Sequence, residues 1–376
     1  MKAFSENVHG ERFFLYNKNN QDVSIYYHFK EQESIVMKVE EMKKIHLGEY
    51  PTPLEKMEHL TAKHTGGKFN LYIKRDDATG PAFGGNKTRK LEYVMKEALD
   101  QGYTAMLTYG GPQTNHGRTT VAAAIKCGMK PILILGGKAP EYLSGNLTLD
   151  AMMGTDIVFT DDFAKARDEV IARYEAQGDK VYDLPVGGTG LTGVVGYIMA
   201  VKEIMDQCEK MDIHPKHLVC TVGSLGTFGG LNVGVRYFHA PFDIIGVPVS
   251  PGTKKEPAAE FINQVAEFYE MDFRVTPEDI NIQYGPDDAP YSGEEYNKPD
   301  PLTRAAMFEL AREEGIISDP TYTGKTFRGL LDMIDKGIIT EDTIFLHTGG
   351  AMAVWTKEHL DDMQQELFDN CRISEI

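Results

Sequence analysis

The sequence predicts an α/β protein whose mostly parallel sheets are covered by helices on both faces. Short β-rich runs alternate with longer helical patterns, the spacing that βαβ units require. Several of those runs also end in glycine-rich loops, where ligands bind in open α/β sheets. In chain order, the apolar and charged stretch Leu71–Asp77 leads to a Gly84-Gly85-Asn86 turn and a helical period over Lys87–Gln101. Met106–Tyr109, Thr119–Cys127 and Pro131–Leu135 then read as strand, helix, strand. Further strands are expected over Asp156–Phe159, His217–Val222, Phe242–Val247 and Thr343–His347, with helices over Phe163–Ala176, Val194–Met211 and Leu302–Glu314. The first 45 residues stand apart as an aromatic, β-leaning segment (Phe13, Phe14, Tyr16, Tyr26, Tyr27, Phe29), readable as a packing arm or a dimer element.

Composition narrows the function classes. With 376 residues, 41% hydrophobic and 25% charged, the chain buries enough apolar surface for two domains or one large one. A net charge of -17 argues against nucleic acid or an anionic membrane as partner. The four cysteines, Cys127, Cys208, Cys220 and Cys371, are scattered and form no C-x-x-C pair, so neither a disulfide framework nor a metal site is expected. No apolar run reaches signal-peptide or membrane-spanning length. A soluble protein of a reducing cytoplasm is the expectation.

Four constellations bear on chemistry. In Phe83-Gly84-Gly85-Asn86-Lys87-Thr88-Arg89-Lys90 a lysine follows a glycine-asparagine turn. To attack an aldehyde its amine must lose a proton, and burial or the neighbouring cations Arg89 and Lys90 would lower its pKa. Taken alone, the segment reads more readily as an ordinary helix-opening turn with a solvated Lys87. Tyr109 to Arg118, before the helix Thr119–Cys127, would present backbone N–H groups to a carboxylate, with Thr114 offering a hydroxyl and Asn115 a hydrogen bond to a phenolate; a plain helix cap is the alternative. Val222 to Gly230 has the glycines and hydroxyls (Ser224, Thr227) of a phosphate cup, or of a tight turn, without matching either common nucleotide motif. Leu184–Gly190 shares that ambiguity. Lastly, Asp319–Lys325 and His347–Gly350 place Tyr322 and His347 at loop ends, where each reads unaided as a packing residue.

Taken together these segments resemble the D-cysteine desulfhydrase and 1-aminocyclopropane-1-carboxylate deaminase group of pyridoxal-phosphate enzymes, from Tyr50 to about Trp355. The resemblance implies that group's fold type II: two three-layer αβα domains with open, twisted, mostly parallel sheets and the cofactor in the cleft between them. The expected domains are residues 1–89 with 200–376, the large one, carrying residues 1–45 as an extension or arm, and 90–199, the small one. It further implies that Lys87 forms the Schiff base with pyridoxal 5'-phosphate. Lys90 and the loop Gly223, Ser224, Leu225, Gly226 and Thr227 would hold the phosphate, and Asn115 the ring hydroxyl. Thr114, Asn115 and His116 would surround the substrate carboxylate, with Tyr296 and Tyr322 facing the substrate. A homodimer is expected on the same ground.

Two positions bear on the reaction. Where cyclopropane-opening deaminases carry Glu and Leu, this chain has Thr323 and Thr348. A hydroxyl beside the pyridine nitrogen leaves it largely neutral, which suits α,β-elimination with a good leaving group better than ring opening. The expected reaction is thus the conversion of D-cysteine to pyruvate, sulfide and ammonia. L-cysteate sulfo-lyase and 1-aminocyclopropane-1-carboxylate deaminase are the alternatives, and a non-catalytic cofactor-binding paralogue is the remote one. Three departures from the family pattern stand out. Thr114 replaces serine and would crowd the substrate pocket; Gly117 replaces a larger residue; Leu225 replaces a glycine, harmlessly if its φ is negative.

Overall fold

A computed structural model describes residues 10–16, 22–28 and 38–374. Two strands, β1 (Gly10–Tyr16) and β2 (Asp22–His28), pair antiparallel over their full length, so the β-leaning reading of the first segment holds for their backbones. Phe29 lies outside the described residues.

The larger sheet contains β3 (Leu54–Lys56), β4 (Leu71–Arg75), β9 (His217–Val222), β10 (Asp243–Pro248) and β11 (Thr343–His347), in the order β10-β9-β11-β4-β3. All its pairings are parallel except that of the edge strand β3. The smaller sheet has β5 (Ala105–Gly110), β6 (Lys130–Gly136), β7 (Asp156–Thr160) and β8 (Val181–Asp183), in the order β7-β6-β5-β8, all parallel.

Both sheets are apolar on both faces because helices cover both. Along β9 and β11, Leu218, Cys220, Val222, Ile344 and Leu346 point into a core shared with the helices Leu191–Met211 and Gly226–Tyr237. Val219 and Phe345 point the opposite way, against Phe327 and Leu330 of the Thr323–Asp335 helix. The smaller sheet repeats this alternation, with Ile132 and Ile134 facing the Phe163–Glu175 helix and Leu133 and Leu135 facing Val121 and Leu147. Each sheet is thus the middle of three layers. The Leu191–Met211 helix runs unbroken across residue 199, and its buried residues from Val194 to Cys208 belong to the core of the larger sheet.

Most expected elements recur within a few residues. The Thr323–Asp335 helix begins inside the segment read as a loop, and Leu71–Arg75 is a strand between β11 and the edge strand β3.

Candidate active site

The carboxyl ends of β4, β5, β9 and β11 converge, and the loops leaving them bring together residues 76–90, 110–118, 222–227 and 347–350. Gly350 shows how closely: a Cβ there would lie 2.8 Å from the Asp319 carboxylate and 3.0 Å from Asn115 Nδ2. Thr348, which is buried, accepts the Asn86 N–H on its carbonyl at 3.0 Å, docking the end of β11 onto the turn before Lys87.

Lys87 is the first residue of the Lys87–Asp100 helix. Burial alone pushes its amine down to about 8. The neighbouring cations expected to do this do not. Arg89 faces away from the cleft, bonded to Asp76 (Nε to Oδ2 2.8 Å, Nη2 to Oδ1 2.8 Å) and Glu203 (2.8 Å). Lys90, one turn after Lys87, does face the cleft and is fully buried. Its amine is held well below the ordinary lysine value by burial first and then by the charge of Lys87. It donates to the Gly187 carbonyl at 3.1 Å.

The Val222–Thr227 loop receives that amine. A Cβ on Gly226 would lie 2.6 Å from Lys90 Nζ and 2.8 Å from Thr189 Oγ1, so a side chain there would displace the amine. The Gly226 N–H, expected to face the ligand, instead bonds back to the Ser224 carbonyl at 2.9 Å. Gly223 and Ser224 are open to the cleft, while buried Thr227 accepts a 2.9 Å hydrogen bond from the Asn86 amide. Leu225 departs from expectation: its φ is +65°, not negative. A left-handed leucine costs roughly 1–2 kcal/mol, and its side chain packs on the core of the larger sheet, which offsets part of that. Thr189, which its glycine-rich stretch gave no role, donates to the Ser224 carbonyl at 2.7 Å and braces the loop from beneath. A buried, under-partnered ammonium against open glycine backbone at a helix start is a site for a phosphate dianion. With Lys87 one helical turn away, these residues fit a phosphorylated aldehyde such as pyridoxal phosphate.

On the other wall, Thr114 caps the Asn115–Lys126 helix, its Oγ1 accepting the Gly117 N–H at 3.1 Å. Its methyl does not point into the pocket. A Cβ on Gly117 would meet Thr114 Cγ2 at 2.4 Å, and one on Gly110 would meet Thr114 Cβ at 2.6 Å. The two departures at 114 and 117 are one steric exchange, in which Gly117 makes room for the methyl. Gly117→Ala should therefore lose about 1–3 kcal/mol of stability through overpacking, and adding Thr114→Ser should restore most of it. Thermal unfolding of the two single variants and the double reads this directly, because contacting sites are non-additive.

Asn115 Oδ1 accepts from Asn146 Nδ2 at 2.9 Å, which fixes the amide and turns its own N–H₂ toward Gly350 and the cleft. His116 is buried and held well below its ordinary value by burial and then by Lys87 and Lys90. Its Nε2 lies 2.8 Å from Thr108 Oγ1 and its Nδ1 3.4 Å from Thr120 Oγ1. With both nitrogens engaged, only the backbone N–H of His116 is left for a carboxylate. The ring props the Gly187–Gly188 turn, 3.3 Å from where a Gly188 Cβ would stand. His347 is a packing residue as read, its ring nitrogens paired with the Ile317 carbonyl (3.0 Å) and the Gly349 N–H (3.2 Å).

Tyr296 and Tyr322 share a short hydroxyl–hydroxyl contact, with rings edge to face at 5.8 Å. Although 44% of the Tyr296 side chain is open, its enclosed hydroxyl is pushed up to about 12 by burial. Burial likewise holds the Tyr322 phenol well above its ordinary value. Both are proton donors at neutral pH. Lys325, also missed, is fully buried and donates to the carbonyls of Val249, Ser292 and Glu295, anchoring the loop that carries Tyr296. The Thr323 hydroxyl is not isolated. It donates to Asp319 Oδ1 at 2.6 Å and accepts the Asp319 N–H at 2.9 Å, so a buried carboxylate stands one hydrogen bond behind it.

Comparison with known proteins accords with this geometry. A family model described as "Pyridoxal-phosphate dependent enzyme" matches residues 45–349. A putative 1-aminocyclopropane-1-carboxylate deaminase of Thermotoga maritima is 36% identical over 321 residues, 84% of this chain and 98% of that protein. A D-cysteine desulfhydrase of Klebsiella pneumoniae is 38% identical over 317 residues, 81% and 93% of the two chains. Among solved structures, an ACC deaminase homologue superposes with a TM-score of 0.78 at 32% identity, covering 88% of this chain and 98% of its own. Serine racemase from Dictyostelium discoideum, at 15% identity and a TM-score of 0.56, shares the fold. The buried lysine pair, the glycine loop and these matches agree: the chain belongs to the pyridoxal-phosphate-dependent enzymes and is a lyase of the group that includes those deaminases and desulfhydrases.

Proposed function

We propose that this lyase carries out α,β-elimination on a small β-substituted amino acid, with D-cysteine as substrate. D-cysteine and water would give pyruvate, hydrogen sulfide and ammonia. The observation that supports elimination is the pair Thr323 and Thr348, where ring-opening relatives are expected to carry Glu and Leu. Bound pyridoxal phosphate supplies the electron sink that makes the substrate Cα–H acidic. The protein's residues do the rest. The backbone N–H groups of Asn115 and His116 at the helix start bind the substrate carboxylate, and Asn115 Nδ2 orients the cofactor oxygen. The Lys87 amine, neutral from about pH 8 upward, takes the Cα proton. The Tyr296–Tyr322 pair hands a proton to the departing sulfur. Aminoacrylate released from the site then hydrolyses.

Asp319 favours a second reading. A carboxylate behind Thr323 strengthens the electron sink more than a lone hydroxyl would, as ring opening of 1-aminocyclopropane-1-carboxylate requires. A panel of D-cysteine, L-cysteine, L-cysteate, D-serine and the cyclopropane acid decides between them. Pyruvate with sulfide is the expected outcome; 2-oxobutyrate from the cyclopropane acid alone would establish the second reading.

The acid limb of the pH profile follows from Lys87. Its pKa is depressed, so the active neutral amine is lost as pH falls through about 8. kcat, which reports the substrate-bound state in which the Lys87 amine is free, is expected to rise with pH through about 8 to a plateau above it. The tyrosines, shifted upward, stay protonated across the same range. A homodimer in the cytoplasm, with the small domain near residues 90–199, completes the proposal. No helix among the described residues is long and apolar enough to cross a membrane.

A further inference from the structure

Arg118 is among the largest fully buried side chains, yet its neighbour Asp150 offers it no hydrogen bond: both Asp150 carboxylate oxygens are buried without a partner. The guanidinium is spent elsewhere. Nη1 donates to the Ala82 carbonyl and Nη2 to the Gly84 carbonyl at 3.2 Å, while Nε donates to Asn146 Oδ1 at 2.8 Å. The first two acceptors lie in a run with positive φ throughout: Ala82 (+48°), Phe83 (+67°), Gly84 (+58°) and Gly85 (+114°). Left-handed Ala and Phe persist only where their surroundings impose them. Lys87 follows two residues later. The third acceptor, Asn146, donates in turn to Asn115 Oδ1 at 2.9 Å.

We infer that Arg118 is a positioning residue that sets two cofactor contacts at once: it imposes the backbone turn that aims Lys87, and through Asn146 it orients the Asn115 amide. One planar fork does both because its three nitrogens reach three acceptors at fixed angles, which a lysine ammonium cannot reproduce. Asp150, whose carboxyl burial raises to about 7, lies beside the guanidinium without competing for its donors. The inference rests on Lys87 and Asn115 as the cofactor residues.

Arg118→Lys keeps the charge beside Asp150 and removes the fork. Borohydride reduction of the wild-type enzyme with pyridoxal phosphate, followed by peptide mapping, first checks that the label sits on Lys87; a label elsewhere refutes that underlying reading. With it in place, Arg118→Lys is expected to bind pyridoxal phosphate about ten- to a hundredfold more weakly, as loss of charge-assisted hydrogen bonds implies. Its visible cofactor band should shift. Chymotrypsin should cut the cofactor-free variant after Phe83, which is 63% exposed, several-fold faster than wild type. Asn146→Asp keeps an acceptor for Arg118 but removes the donor to Asn115. It should weaken binding and shift the band while leaving Phe83 cleavage at the wild-type rate. Wild-type affinity and cleavage in Arg118→Lys would overturn the assignment; so, if that variant does not fold, would wild-type cofactor binding by Asn146→Asp.

Discussion

Lys87→Ala is expected to lower kcat by about 10²- to 10⁴-fold, the range a positioned proton-transfer group supplies. The visible colour of the lysine-bound cofactor should vanish with it. The variant should still fold, since removing an amine that burial holds down to about 8 relieves a desolvation penalty and breaks no ion pair. Absorbance, thermal unfolding and product assay on one preparation separate these effects. Full turnover with retained colour would remove Lys87 from the mechanism.

Lys90→Met should move two quantities in opposite directions. Pyridoxal-phosphate affinity is expected to fall about ten- to a hundredfold, because the phosphate loses its buried cation. Cofactor-free protein should become more stable, since an ammonium with one carbonyl partner gives way to an apolar side chain in the same enclosed space. The pH dependence has a definite sign. Lys90 has a folded-state pKa below its unfolded one, so the unfolded chain holds more protons between the two values, and wild-type cofactor-free protein gains stability as pH rises through that interval. Methionine removes the Lys90 share of that slope. Calorimetry of both proteins across alkaline pH, with and without cofactor, tests both halves.

The alternation of buried strands and helices was legible because parallel strands covered on both faces must be apolar throughout. β3 and β8, three residues each, leave too short a pattern to recognise. The Thr323–Asp335 helix was hidden by its start: Asp-Pro-Thr-Tyr-Thr-Gly reads as turn chemistry, and it is Asp319 folding back onto the Thr321, Tyr322 and Thr323 N–H groups that turns this segment into a helix opening. In the site, Lys87, Lys90 and Asn115 showed through because one short segment holds each with its motif. Arg118, Asn146, Thr189 and Lys325 did not, since their partners lie 28 to 76 residues away and no local spacing encodes them. The direction of the Thr114 methyl also needed coordinates, as it depends on Gly110 and Gly117 together.

The Arg89 salt bridges also fix a length scale. With Arg89 locked to Asp76 and Glu203 on the far side, the Lys87–Asp100 helix cannot roll about its axis, and Lys87 and Lys90 are held roughly 4.5 Å apart along it, three residues at the helical rise. The helix is a rigid gauge for the separation between an aldehyde carbon and a phosphate. A cofactor analogue with one extra methylene between ring and phosphate would meet that gauge out of register, and the enzyme would reject it by length before any substrate arrived.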